Sequence, residues 1–250
     1  MELIELSDDI FLYKDFISKE ESAAALKAIN MKMEKDQQRW HAISFYESYS
    51  SGFPVEGDPD LALVGLPNNF FEDLKRRFQE AAAEVARKTY DDMDEIGWHS
   101  QKWDPGAYAH YHSDNSANDG TETAFTRSRY AVFLYLNEDY DGGLLNFKVN
   151  YGERELSIKP ETGMCLAFHG GYKNLHEVTM VTRNTRYTIG SFWDDRKKEA
   201  YKKETMDEWA EELIGTRKEQ AEQFEGWKEI RESGKRIKPD GTIIDESEVF

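Results

Sequence analysis

Cysteine is nearly absent from this 250-residue chain, which has only Cys165. A lone thiol forms no intrachain disulfide and no thiolate cluster for zinc. Its neighbours Met164, Leu166, Ala167 and Phe168 mark it as a buried structural thiol. Long apolar runs are missing too, and nothing reaches the roughly 18 residues of a membrane-spanning helix. The N-terminal Met1-Glu2-Leu3-Ile4-Glu5 has neither a basic nor an apolar leader region, so no secretory signal and a reducing, cytoplasmic setting are expected. Basic residues are outnumbered 32 to 49 by acidic ones, giving a net charge of −17. Phosphate repels such a chain, so neither nucleic acid nor an anionic membrane is an expected partner. The densest basic cluster, Lys75-Arg76-Arg77, reads as a solvated helix face.

Against these absences stands one concentrated pattern. His112-Ser113-Asp114 is an H-x-D triplet at the end of a β-type run, opening a polar loop. His176 lies far downstream, just before the apolar run Val178 to Val181, and Arg186 follows. Residues i and i+2 of a strand share a face, so His112 and Asp114 can grip one ion from one wall. A second imidazole from another strand gives the facial two-histidine, one-carboxylate set of non-heme Fe(II) oxygenases, which leaves open coordination positions. Arg186 adds a planar, permanently charged fork suited to a carboxylate. Among the other histidines, His110 would share the face of His112 in a regular strand but has no carboxylate at its own i+2 position. His169 is a rival distal ligand, yet the residue ten beyond it is the uncharged Thr179. His41 and His99 have no supporting context and read as structural or surface histidines.

The first hundred residues mix helix and strand. Ile10 to Tyr13 reads as a short strand. Ser18 and Glu21 form a capping-box signal for a helix near 19–35. Phe70, Phe71, Leu74, Phe78, Ala81 and Val85 make the apolar face of a second helix, near 69–89. Ser48 to Gly57 reads as a loop. From Trp98 to Trp193 eight short β-rich runs alternate with turn signals, at 98–103, 107–113, 129–136, 144–149, 155–159, 163–169, 175–182 and 186–193. That spacing predicts a double-sheet jelly roll or a small barrel. Asp114 to Thr126 is a long polar loop beside the metal ligands. From Asp194 to Lys235 a charged helical stretch is expected, with Trp209, Leu213, Phe224 and Trp227 as docking residues, before a loosely ordered tail.

With these motifs in place, residues 103–193 resemble the catalytic core of the prolyl 4-hydroxylase superfamily of Fe(II)/2-oxoglutarate dioxygenases. The resemblance is carried by Pro105-Gly106 ahead of His112-Ser113-Asp114-Asn115, then Leu134-Tyr135-Leu136-Asn137 and Gly142-Gly143-Leu144-Leu145-Asn146-Phe147. It continues through Pro160-Glu161-Thr162-Gly163, Asn174-Leu175-His176-Glu177-Val178 and Arg186-Tyr187-Thr188-Ile189. Arginine at position 186 and the His-Glu-Val context are closest to the oxygen-sensing prolyl hydroxylases; the collagen-type enzymes usually carry lysine there. Two positions depart from the family pattern. Leu144 stands where glutamate is frequent, and Asp104 where some members place an active-site tyrosine, with Tyr108 nearby.

The resemblance implies a mainly β fold with flanking helices. It places a double-stranded β-helix core at 98–195 with supporting N-terminal helices and strands at 1–97; the residue pattern itself adds a charged helical C-terminal extension at 196–250. The resemblance also implies that His112, Asp114 and His176 hold Fe(II). Arg186 then pairs with the far carboxylate of 2-oxoglutarate, and Tyr135 donates its hydroxyl to the same carboxylate. O2 is the oxidant and ascorbate a candidate reductant. The implied substrate is a prolyl residue in a peptide or protein. Hydroxylation of a free amino acid or other small molecule remains an alternative on the same scaffold. A non-catalytic jelly-roll binding module is the alternative of another class.

Overall fold

A computed structural model describes residues 1–35, 41–43, 48–51, 60–197, 235–237 and 243–245. In chain order the elements are β1 (Glu2–Ser7), β2 (Ile10–Lys14), α1 (Lys19–Lys35), β3 (His41–Ile43), β4 (Ser48–Ser51), α2 (Asp60–Leu63), α3 (Phe70–Ala86) and β5 (Asp94–Trp103). They continue with β6 (Ala109–His112), β7 (Tyr130–Tyr135), β8 (Asp141–Gly142), β9 (Leu145–Val149), β10 (Arg154–Ile158) and β11 (Cys165–His169). The remainder are β12 (Leu175–Val178), β13 (Val181–Arg183), β14 (Arg186–Asp194), β15 (Lys235–Ile237) and β16 (Ile243–Asp245).

Two antiparallel sheets face each other. The larger runs β1-β2-β11-β7-β14-β5-β4-β3 and the smaller β10-β9-β12-β6. Each of the eight β-rich runs expected between Trp98 and Trp193 contains a strand of this jelly roll. The last-but-one run splits into β12 and β13, because the backbone turns aside at Met180 to pair β13 with β8.

Alternation explains why the central strands read as almost unbroken apolar runs. Ile10, Leu12, Ala131, Tyr135, Leu166 and Phe168 point between the sheets. Their neighbours Phe11, Tyr13, Val132, Leu134, Cys165 and Ala167 point the other way, into a second core with Ile29, Phe71, Leu74 and Phe78 of the helices. A sheet buried on both faces needs apolar residues at successive positions. The α1 capping box is present, with Glu21 N–H donating to Ser18 Oγ at 3.1 Å and Ser18 N–H to Glu21 Oε2 at 2.7 Å.

Several sequence expectations are revised. The N-terminal segment contributes strands to the larger sheet itself, since β2 pairs with β11 from Tyr13↔Cys165 to Ile10↔Phe168. Ser48–Ser51, read as loop, is a strand whose partners are Ser100 to Lys102 of β5. Those partners lie about fifty residues downstream, beyond any local signal; residues 52–57 lie outside the described set. Asp194 ends β14 and begins no helix. The helical reading with Trp209, Leu213, Phe224 and Trp227 falls on residues outside the described set. In the tail, β15 and β16 pair antiparallel. Lys75 and Arg76 are each ion-paired, to Glu95 and to Asp73 and Glu80, and Arg77 lies over the Phe16 ring, so two of the three cations are neutralised by carboxylates. No helix among the described residues is long and apolar enough to cross a membrane.

Candidate metal and cosubstrate site

His112 ends β6 and His176 lies in β12; the two are directly paired across the smaller sheet. A β-bulge separates this pair from the next, Val178↔Ala109, so two residues of β6 oppose one of β12. The bulge re-aims the chain. His110 therefore turns to solvent instead of sharing the face of His112. Asp114 comes from the loop after β6, where its N–H donates to Gly170 O at 2.7 Å. The ligand atoms of His112, Asp114 and His176 all lie within 4.8 Å of one another, the one such group among the described residues. His169 stays outside it; its Nδ1 accepts the Gly171 N–H at 3.1 Å, and its ring meets Tyr130 edge-on.

Each cluster imidazole is fixed from behind. His112 Nδ1 donates to His110 O at 2.6 Å and His176 Nδ1 to Asn174 O at 3.3 Å. A carbonyl only accepts, so each Nδ1 is a donor and each Nε2 is the nitrogen turned inward. The Nε2 atoms stand 3.7 Å and 3.4 Å from the Asp114 carboxylate oxygens. Burial first, and then His176, pushes the His112 pKa down to about 4, against the opposing pull of Asp114. The Asp114 side chain is 5% exposed and its Oδ2 has no hydrogen-bond partner. Two imidazole nitrogens and a buried carboxylate thus converge on one point. A divalent cation satisfies all three, and the N, N, O set fits Fe(II). Behind Asp114 lies bare backbone, since a Cβ on Gly170 would sit 2.6 Å from Oδ2.

Arg186, at the start of β14, sits deep between the sheets and is 3% exposed. Its guanidinium lies 5.1 Å from the Trp103 ring centroid and 5.0 Å from that of Tyr135. Its Nε has no hydrogen-bond partner, and among the described residues no carboxylate pairs with it. Burial pushes the Tyr135 phenol up, so it stays protonated beside the cation. The same inward face of β5 and β14 presents Gln101 and Thr188, joined by a 3.2 Å hydrogen bond, and then His99. His99, read as structural or surface, instead stacks on Phe192 and meets Phe133 edge-on inside the barrel. Its direction follows from the β5–β14 register, which sequence spacing does not reveal. Asp104, at the position of the family tyrosine, pairs with Lys102 at 3.0 Å and accepts from Thr185 at 2.8 Å. Tyr108 is buried and meets His110 edge-on. Sequence reasoning passed over Tyr140, which the turn after β7 brings beside Arg186.

Residues 98–194 match the family model described as the 2OG-Fe(II) oxygenase superfamily. The matched segment contains His112, Asp114, His176 and Arg186. Prolyl 3-hydroxylase 2 of Mus musculus is 37% identical over 67 residues, and prolyl 3-hydroxylase 1 of Homo sapiens 36% over 67. The aligned stretch is 26% of this chain but only 10% and 9% of those proteins. Two solved structures share the oxygenase fold. A prolyl-4-hydroxylase from Pseudomonas putida has a TM-score of 0.55 at 18% identity, covering 76% of this chain and 93% of the other. A prolyl hydroxylase from Trichoplax adhaerens, in complex with a hypoxia inducible factor oxygen degradation domain peptide fragment, scores 0.55 at 16% identity, covering 76% and 84%.

Proposed function

We propose that this chain is an Fe(II)- and 2-oxoglutarate-dependent dioxygenase that hydroxylates a prolyl residue within a peptide or protein. The observation that carries the reading is the presence in one fold of the convergent His112/Asp114/His176 cluster and a buried Arg186 that pairs with no carboxylate among the described residues. When bound, Fe(II) with 2-oxoglutarate and O2 supplies oxidative decarboxylation to succinate and CO2, with one oxygen atom inserted into a substrate C–H bond.

The chain supplies geometry. His112 and His176 offer Nε2 and Asp114 a carboxylate oxygen, three ligands that leave the remaining positions for cosubstrate and oxidant. Arg186 neutralises the far carboxylate, while Trp103 and Tyr135 hold the guanidinium away from water. The aromatic wall of Phe133, Phe147, Phe168 and Phe192 keeps the space between the sheets apolar. A prolyl substrate is supported by the prolyl hydroxylase names among both sequence relatives and structural neighbours.

The test is succinate release from purified protein given Fe(II), 2-oxoglutarate and O2, with a panel of proline-containing peptides and free proline. The expected result is peptide-dependent succinate and a mass gain of one oxygen atom. Amino-acid analysis then separates 3- from 4-hydroxyproline. Turnover with free proline alone would move the substrate to the small-molecule class. No succinate under any condition would refute the enzymatic reading.

A further inference from the structure

We propose that Tyr140 is a third group that grips the far carboxylate of 2-oxoglutarate, alongside Arg186 and Tyr135. The inference rests on the dioxygenase reading and extends it to a residue outside the matched motifs.

The turn after β7 delivers Tyr140 to this place. Leu136 N–H donates to Tyr187 O at 3.0 Å, Asn137 Nδ2 to Thr185 O at 2.7 Å, and Asn184 Nδ2 to Asp139 O at 2.6 Å. The chain then folds back, and the Tyr140 ring enters the core between the sheets, 1% exposed. Gly143 makes room for it there, because a Cβ on that residue would lie 3.0 Å from Tyr140 Cε2 and 3.1 Å from Arg186 Cδ. The backbone thereby holds ring and guanidinium side by side.

The Tyr140 hydroxyl is buried and has no hydrogen-bond partner. Its neighbour, the Arg186 guanidinium, only donates, and Arg186 Nε is itself without a partner. A phenol oxygen can accept from arginine, but its own proton still needs an acceptor. Burial keeps that proton in place by pushing the phenol up, against the pull of Arg186. The Tyr140 phenol and the Arg186 guanidinium, with the Tyr135 ring against them, therefore present buried donors that lack an acceptor. A carboxylate, with about four lone-pair sites, is the complement. Phenylalanine would fill the same space without burying an unsatisfied hydroxyl.

Tyr140→Phe separates a ligand role from a packing role. Thermal melting of the ligand-free full chain should be unchanged or raised, since only an unpaired hydroxyl is lost. Affinity for Mn(II) alone, measured calorimetrically, should be unchanged. The dissociation constant of 2-oxoglutarate with Mn(II) present should rise about tenfold, the loss expected for one charge-assisted hydrogen bond. Unaltered 2-oxoglutarate affinity, or a lower ligand-free melting temperature, would overturn the inference and leave the dioxygenase reading standing. A wild-type protein that binds Mn(II) but no 2-oxoglutarate would overturn both.

Discussion

Gly170 lies flush against Asp114: its carbonyl accepts the Asp114 N–H at 2.7 Å, and a Cβ added to it would come 2.6 Å from Oδ2. The carboxylate occupies the space that a side chain at position 170 would take. Gly170→Ala introduces no positive-φ strain, so its effect falls on the carboxylate. The expected outcome is a folded protein whose Fe(II) or Mn(II) affinity drops at least tenfold, read by calorimetry beside far-UV circular dichroism. Wild-type metal affinity in a folded Gly170→Ala variant would show that Asp114 is free to move, or is no ligand.

The two distal candidates make opposite predictions. His176 is paired across the sheet from His112, whereas His169 is occupied by the Gly171 N–H. His176→Ala should abolish metal binding and turnover, since two ligands hold a labile ferrous ion poorly. His169→Ala should leave metal binding within about twofold of wild type, the Gly171 N–H being replaceable by water. Loss of metal in the His169 variant would exchange the two roles.

Acid should unfold the metal-free protein earlier than its carboxylates alone require. Burial holds both His99 and His112 down to about 4, while an unfolded histidine titrates near 6.5. Between those values the unfolded chain takes up protons that the folded chain refuses. Stability is therefore complete above about pH 6.5 and declines as pH falls towards 4, by up to about 3 kcal/mol per histidine. Urea denaturation of metal-free protein from pH 7 to 4.5 measures this. His99→Phe should flatten the slope by about one proton; an unchanged slope would mean that His99 is solvated in the folded state.

What the sequence disclosed and what it hid divide along a physical line. The jelly-roll strands were legible because alternation and turn residues are local signals. The same holds for the α1 cap, where Ser18 and Glu21 are three residues apart. His112, Asp114 and His176 stood out because their chemistry is unusual in such spacing. Strand β1 escaped notice, with Glu2 and Glu5 on a sheet edge and all its pairing supplied by β2. The inward turn of His99 and the outward turn of His110 depend on register and on a bulge, neither of which leaves a composition signal. Tyr140 is a common residue in an acidic turn, Asp139-Tyr140-Asp141, and gains its meaning only from the guanidinium that β14 places beside it.

That guanidinium makes a prediction of its own. Arg186 is held between the faces of Trp103 and Tyr135, a setting that suits a flat, weakly hydrated cation. Lysine keeps the charge but loses the fork and the stacking, and its compact ammonium is harder to strip of water. Desolvation also favours the neutral amine, so lysine in this place sheds its proton at lower pH than in solution. Arg186→Lys should therefore raise the 2-oxoglutarate dissociation constant about tenfold at pH 7. The variant should weaken further as pH rises towards 9, while the wild-type protein stays flat over that range. Calorimetric titration with Mn(II) at pH 7, 8 and 9 reads both effects. A pH-independent Arg186→Lys protein with wild-type affinity would show that the far carboxylate is held elsewhere.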